Sequence, residues 1–132
     1  MTSPQQELFT TLRGVAVEVV GPSMVYDYLP SEVGYPLVYL GEQFSNDRTT
    51  KSLIIPEITQ TIHVYHNDFR KRGTTTSIMD RIVSKARALK GTASFYCSLS
   101  RHSQQFLEDH STGQPLMRGI LELTFQLTHK GE

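Results

Sequence analysis

A chain of 132 residues with 38% hydrophobic and 20% charged side chains has the composition of one ordinary globular domain, long enough to bury somewhat under ~70% of its unfolded surface. Thirteen Lys and Arg balance thirteen Asp and Glu, which argues against a dedicated nucleic-acid binder with its usual basic excess but leaves room for a local basic patch. A single cysteine, Cys97, excludes an internal disulfide and a cysteine-built zinc cage.

From the N-terminus, Ser3-Pro4-Gln5-Gln6 reads as a helix start: Ser3 caps, Pro4 suits the first helical position, and Gln6 completes a capping box. Leu8, Leu12, Val15 and Val19 then form one apolar stripe, and Gly21-Pro22 ends the helix. Arg13, Gly14 and Glu18 interrupt the stretch that would otherwise resemble a signal peptide. No run approaches the roughly 20 apolar residues of a membrane span, so folding in a reducing cytosol is expected.

Val25–Tyr28 and Leu37–Gly41 read as short strands joined by a loop punctuated by Pro30, Gly34 and Pro36. Neither proline can sit inside a sheet ladder, because proline has a fixed φ and no N–H. Residues 42–51, EQFSNDRTTK, are polar and without periodicity, which predicts a long loop. Two readings of it stand side by side: a mobile hairpin tip, or an assembly loop that orders against a neighbouring subunit. Glu57–Tyr65 is a strand with Ile58, Gln60, Ile62 and Val64 on one face, and Thr59, Thr61, His63 and Tyr65 on the other.

After a basic turn at Phe69-Arg70-Lys71-Arg72-Gly73, Ile78, Met79, Ile82, Val83, Ala86 and Leu89 mark the buried stripe of a second helix. Thr75 or Thr76 is its expected N-cap and Gly91 its expected C-cap. Two strands of moderate quality follow, 93–100 and 104–109, with Cys97 as a small buried side chain in the first. Arg118–His129 alternates strictly, with Leu121, Leu123, Phe125 and Leu127 on one face, as in a sheet packed on one side and solvated on the other. The expected fold is α+β, a mainly antiparallel sheet with two amphipathic helices on one face, in the order α-β-β-β-α-β-β-β.

His63, His66 and Asp68 invite a metal reading, but positions 63 and 66 of a strand point to opposite faces, and no third ligand adjoins them in sequence. Surface histidines at a strand end are the expectation, with Asp109-His110 the only pair that could approach in space. No Gly-x-Ser-x-Gly elbow, Cys–His motif, Walker loop or Gly-x-Gly-x-x-Gly occurs. Nothing brings Glu57, Glu108 and Asp109 together as paired carboxylates. Neither an enzyme nor a cofactor is expected. The basic cluster Arg70, Lys71 and Arg72, followed by Arg81, Lys85, Arg87 and Lys90, could neutralise phosphates, with Tyr65 or Phe69 stacking on bases. Charges opposite an apolar stripe are also what any surface helix shows.

The phrase VYD…P…YPLVYLGE between Val25 and Glu42, preceded by a helix and followed by a polar loop, a strand, a second helix and more strands, resembles the tail-terminator and tail-completion proteins of long-tailed bacteriophages. The resemblance is strongest from Val25 to Leu89. It implies a single structural domain over residues 1–132 that caps the head-proximal end of the tail tube and joins tail to head. The implied partners are the tail tube protein, the head connector or stopper proteins, and further copies in a six-fold ring through which DNA at most passes; no membrane is involved. The implied location is the virion, at the head–tail interface, after assembly in the host cytoplasm. Phe44, Asn46, Asp47, Arg48 and Lys51 in the loop, with Arg70, Lys71 and Arg72 in the basic turn, are the expected assembly interface. The alternative from another class is a small single-stranded nucleic-acid binding module that uses the basic turn at 70–72.

Overall fold

The computed structural model describes residues 3–27, 34–49, 54–110 and 115–131. Helix α1 spans Pro4–Val20, strand β1 Val25–Tyr26, β2 Leu37–Thr49, β3 Ile54–His66, helix α2 Arg72–Ala88, β4 Phe95–Asp109 and β5 Leu116–His129. Short 3-10 turns at Pro22–Met24 and Phe69–Lys71 lead into β1 and α2. The strands form one sheet in the order β1-β2-β3-β5-β4, antiparallel except for the parallel pairing of β1 with β2. The fold is α+β, with a mostly antiparallel five-stranded sheet and two helices.

The start of α1 follows its sequence. Ser3 Oγ accepts from the Gln6 N–H at 3.1 Å, satisfying one of the helix's orphan donors. The reciprocal half of the expected capping box does not form: the Gln6 amide donates instead to Thr10 Oγ1 at 3.2 Å. Helix α2 begins earlier than its threonines suggest. Asp68 caps the preceding 3-10 turn by accepting from the Arg70 N–H at 2.9 Å, and the chain enters the α-helix at Arg72. Thr75 is buried inside the first turns, donating to the Lys71 carbonyl. The helix ends at Leu89, so Gly91 is not its cap. Gly91 bridges to Tyr96, where a Cβ would stand 2.6 Å from the Phe95 carbonyl; its lack of a side chain permits that close backbone approach.

Two further sequence expectations change. Most of the polar stretch expected as a loop is strand: residues 42–49 continue β2 and pair with β3 as far as Thr49↔Ile54. The strands expected at 93–100 and 104–109 are one, β4, bent by a bulge between Leu99 and Arg101. The observed order therefore has one strand fewer, α-β-β-β-α-β-β. In both places the ladder to a neighbouring strand outweighs a polar composition with no apolar period.

The core lies between the helices and one face of the sheet. Leu8, Leu12, Val15, Ala16 and Val19 of α1 and Ile78, Met79, Ile82, Val83 and Ala86 of α2 join Ile58, Ile62, Val64, Leu121, Leu123, Phe125 and Leu127 in one buried cluster. Each such fully buried side chain contributes roughly 1.5–3 kcal/mol. Gly119 lies under α2, where a Cβ would collide with Met79. Glu7 is the exception on the buried side of α1. Its carboxylate accepts from Thr92 Oγ1 and the Ser94 N–H, each at 2.7 Å, fastening α1 to the connection between α2 and β4. Those bonds, the Thr92 hydroxyl first, hold its pKa below the ordinary 4.5.

Candidate functional site

Strand β3 is buried on both faces from Glu57 to His66, although both helices cover the same face. On the opposite, outer face, Glu57, Thr59, Thr61, His63 and Tyr65 are covered by side chains from β2, β5 and β4, and polar contacts replace the apolar core. Thr59 and Thr124 share a hydroxyl–hydroxyl bond of 2.8 Å, Arg101 reaches Glu57 at 3.3 Å, and the Ser103 hydroxyl donates to Glu122 at 3.3 Å.

His63 is the centre of this face and only 3% exposed. A bulge in β2 makes room for it. Leu40 pairs with Ile62 and Gln43 with Gln60, which sets Gly41 and Glu42 together opposite Thr61. Gln60, almost fully buried on the helix side, holds the bulge by donating to the Gly41 carbonyl and accepting from the Gln43 amide, both at 3.1 Å. At Gly41 a Cβ would stand 2.8 Å from His63 Nε2, so the glycine admits the imidazole. Tyr39 stacks on the ring, with centroids 5.4 Å apart and planes at 20°.

The hydrogen bonds assign the tautomer. Arg118 Nε donates to His63 Nδ1 at 3.2 Å, and an arginine has no acceptor to offer. Nδ1 therefore carries no proton, and Nε2–H donates to Glu42 Oε1 at 3.1 Å. Burial, helped by the Arg118 cation and opposed by Glu42, pushes the imidazole below its ordinary 6.5, so it is neutral at neutral pH. The Glu42 carboxyl is held below its usual value, first by its own backbone N–H and then by His63.

Arg118 continues the chain of contacts. Its Nη1 lies 3.6 Å from Asp109 Oδ2, and its guanidinium stands 5.8 Å over the Tyr65 ring. Burial above all pushes the Tyr65 phenol up, with the charge and hydrogen bond of Asp109 adding to it. Leu37, Tyr65 and Leu116, with Tyr26, Tyr35 and Tyr39 against them, form a small apolar cluster beside this network. His63 and His66 are thus not surface residues. His63 is locked in the outer face, and His66 is buried on the other, its Nδ1 accepting from the Asp68 N–H at 3.2 Å. Among the described residues no group of three or more His, Cys, Asp or Glu is placed to hold a metal ion.

Above the network runs a groove of about 330 Å³, walled by Glu42 and Phe44 on one side and Ser103–Gln105 on the other, with Thr61, His63, Ile120 and Glu122 along its floor. A shallower depression past Thr59 and Arg101 continues it. Both ring nitrogens of His63 are engaged and the ring is buried, so this imidazole is not an accessible base or nucleophile. The face offers Glu42, the Glu122 carboxylate and the half-exposed ring of Phe44.

Of the expected interface residues, Phe44 and Asn46 are exposed on β2, Asp47 and Arg48 pair in the β2 ladder with Pro56 and Ile55, and Lys51 lies outside the described residues. Arg70 and Lys71 are in the 3-10 turn, and Arg72 opens α2 with its guanidinium 4.9 Å over Phe106. Phe106 packs against the helix-side core, so Arg72 lies on the opposite side of the sheet from Phe44, which lines the outer groove. Arg70 is held by Asp68 at 3.2 Å. Tyr65, expected as a platform for bases, is 5% exposed and unavailable for stacking. Sequence reasoning passed over Glu42, Arg118 and Glu122; the signal was the polar alternation of β3 and β5 on the face away from the leucines.

Neither a protein-family model nor a curated protein matches the sequence. Among solved structures, the chain is similar to one in a structure described as the virion of a native gene transfer agent particle. The TM-score is 0.59 at 19% identity, over 98% of this chain and 96% of that one. At that identity the likeness is one of fold, and it runs from end to end.

Proposed function

We propose that this chain is a structural subunit of a phage-like virion, which caps the head-proximal end of a tail tube and joins it to the head as a ring of copies. The observation that supports this most directly is the end-to-end likeness of fold to a chain within a virion particle, which agrees in kind with the tail-completion resemblance of residues 25–89. The function is assembly without catalysis. Two long hairpins, β2–β3 and β4–β5, supply surfaces for neighbours; copies associate weakly in free solution, and a template that holds them together meets the remaining ordering cost. The partners are the tail tube, the head connector and further copies, and DNA at most passes through.

The alternative of a single-stranded nucleic-acid module keeps the exposed Phe69 and Lys71 but has less to support it. Tyr65 is buried, Arg70 is engaged by Asp68, and Arg72 lies on Phe106. The test is the mass of the purified protein in solution, alone and after mixing with tails that lack it. Rings on the tails with restored head attachment are the expected result. A protein that never associates with tails would overturn the reading.

A further inference from the structure

The charges of this neutral chain are divided by region. Between Asp68 and Lys90 lie seven of its thirteen bases and two of its thirteen acids, leaving six bases and eleven acids elsewhere. Most of the basic excess stands on α2, whose buried stripe faces the sheet, so its exposed ridge points away from it. Gly73, Ser77 and Ser84 are small there, and Arg81 and Lys85 stand above them. Arg81 has no ion-pair partner among the described residues. Lys85 meets Glu18 at 3.1 Å with both side chains well exposed, a pairing of little worth that exchanges readily.

The groove on the outer sheet face has the opposite balance. Its bases are matched, Arg101 by Glu57 and Arg118 by Asp109. Among the described residues two of its acids make no ion pair with a lysine or arginine: Glu42 meets a neutral imidazole, with Arg118 acting on it only at a distance, and Glu122 meets a hydroxyl. Phe44 beside them is 51% exposed and presents a ring face on which a guanidinium can rest. Ridge and groove lie on opposite layers of the same molecule, so neither can satisfy the other within one chain.

We propose that the groove between Glu42, Phe44 and Glu122 receives the α2 ridge of a second copy of this chain, with Arg81 and Lys85 seated against the two carboxylates. Such pairing is head-to-tail. Repeated with a closing rotation, it generates a ring and leaves no ridge or groove unused. It rests on the ring reading above and names the two surfaces that would build it.

Charge reversal on each side tests it in the full-length chain, by sedimentation at low salt over a range of protein concentrations. The unmodified chain is expected to self-associate, less so as salt rises. Glu42→Lys with Glu122→Lys, and separately Arg81→Glu with Lys85→Glu, should each weaken self-association at least tenfold while leaving circular dichroism intact, the first pair at some cost in melting temperature because Glu42 also accepts from His63. Mixed in equal amounts, the two variants should associate again, because every groove then meets a ridge of opposite sign. Glu122→Lys alone, which spares the His63 contact, serves if the double variant fails to fold.

Unchanged association in either variant, a mixture that stays dissociated, or an unmodified chain that is monomeric throughout would overturn the pairing. So would an α2 variant that keeps self-association but loses binding to a single-stranded oligonucleotide, which would assign the ridge to nucleic acid. Attachment of the unmodified chain to tails is scored separately, so failure of this pairing and failure of the virion role are distinguishable.

Discussion

Along strand β3 both faces of the sheet are closed to water, but by different means. On the inner face, two helices lay leucines, valines and isoleucines over Ile58, Ile62, Leu121, Leu123 and Phe125. Affinity there scales with area and is indifferent to direction. On the outer face, the side chains of β2, β5 and β4 fold over β3, and Glu42, His63, Arg118 and Asp109 fit only in one arrangement of donors and acceptors. The inner face supplies stability. The outer one fixes shape and charge where a partner would meet the molecule, and it holds the buried imidazole of His63.

The largest effect should come from breaking the inner face. Phe125→Ala removes a ring that is fully buried in the centre of β5 and should cost about 3–5 kcal/mol, read as a lower urea midpoint. Breaking the outer face should cost less. Arg118→Met removes the donor to His63 Nδ1 and the cation near Asp109, for about 1–3 kcal/mol at this partly exposed position. A loss as large as that of Phe125→Ala would show that the outer face carries the fold as well.

Titration sharpens the contrast. The folded state holds His63 below 6.5, so the unfolded chain binds the proton first. Stability from this group is complete above pH 6.5, declines as pH falls through the lower folded value, and is flat below it. Glu7, held below 4.5, adds a second loss that begins only as pH falls past its unfolded value. Urea midpoints measured from pH 8 to 4 should show the first decline in the native chain and not in His63→Gln. A decline that persists in that variant would place the sensitive group elsewhere. The smallest effect is expected at the rim: Phe44→Ser should leave stability within about 0.5 kcal/mol while weakening partner binding.

Much of the inner face was legible in the sequence. The stripe Leu8, Leu12, Val15 and Val19 and the alternation Leu121 to Leu127 carry helical and strand periods that burial requires. The outer face was not, because polar side chains reveal their partners only in space. His63 was conspicuous, yet Glu42 reaches it from 21 residues away and Arg118 from 55. Residues 42–49 read as loop, and 101–103 as a break between strands, for a related reason. They are polar and largely exposed where described, and it is the ladder to β3 or β5 that makes them strands.

The order of strands sets a timetable for synthesis. β5 lies between β3 and β4 in the sheet although it is the last strand in the chain. Until residues 116–129 leave the ribosome, β3 and β4 each keep an open inner edge, and the leucines on which both helices rest do not yet exist. At about 5–20 residues per second, the nascent chain spends several seconds as an amphipathic hairpin and two helices without a common floor. Emergence of residues 116–129 then inserts the missing strand and lets the domain close in one step, so a chain truncated before Leu116 should be held by chaperones or aggregate through those edges.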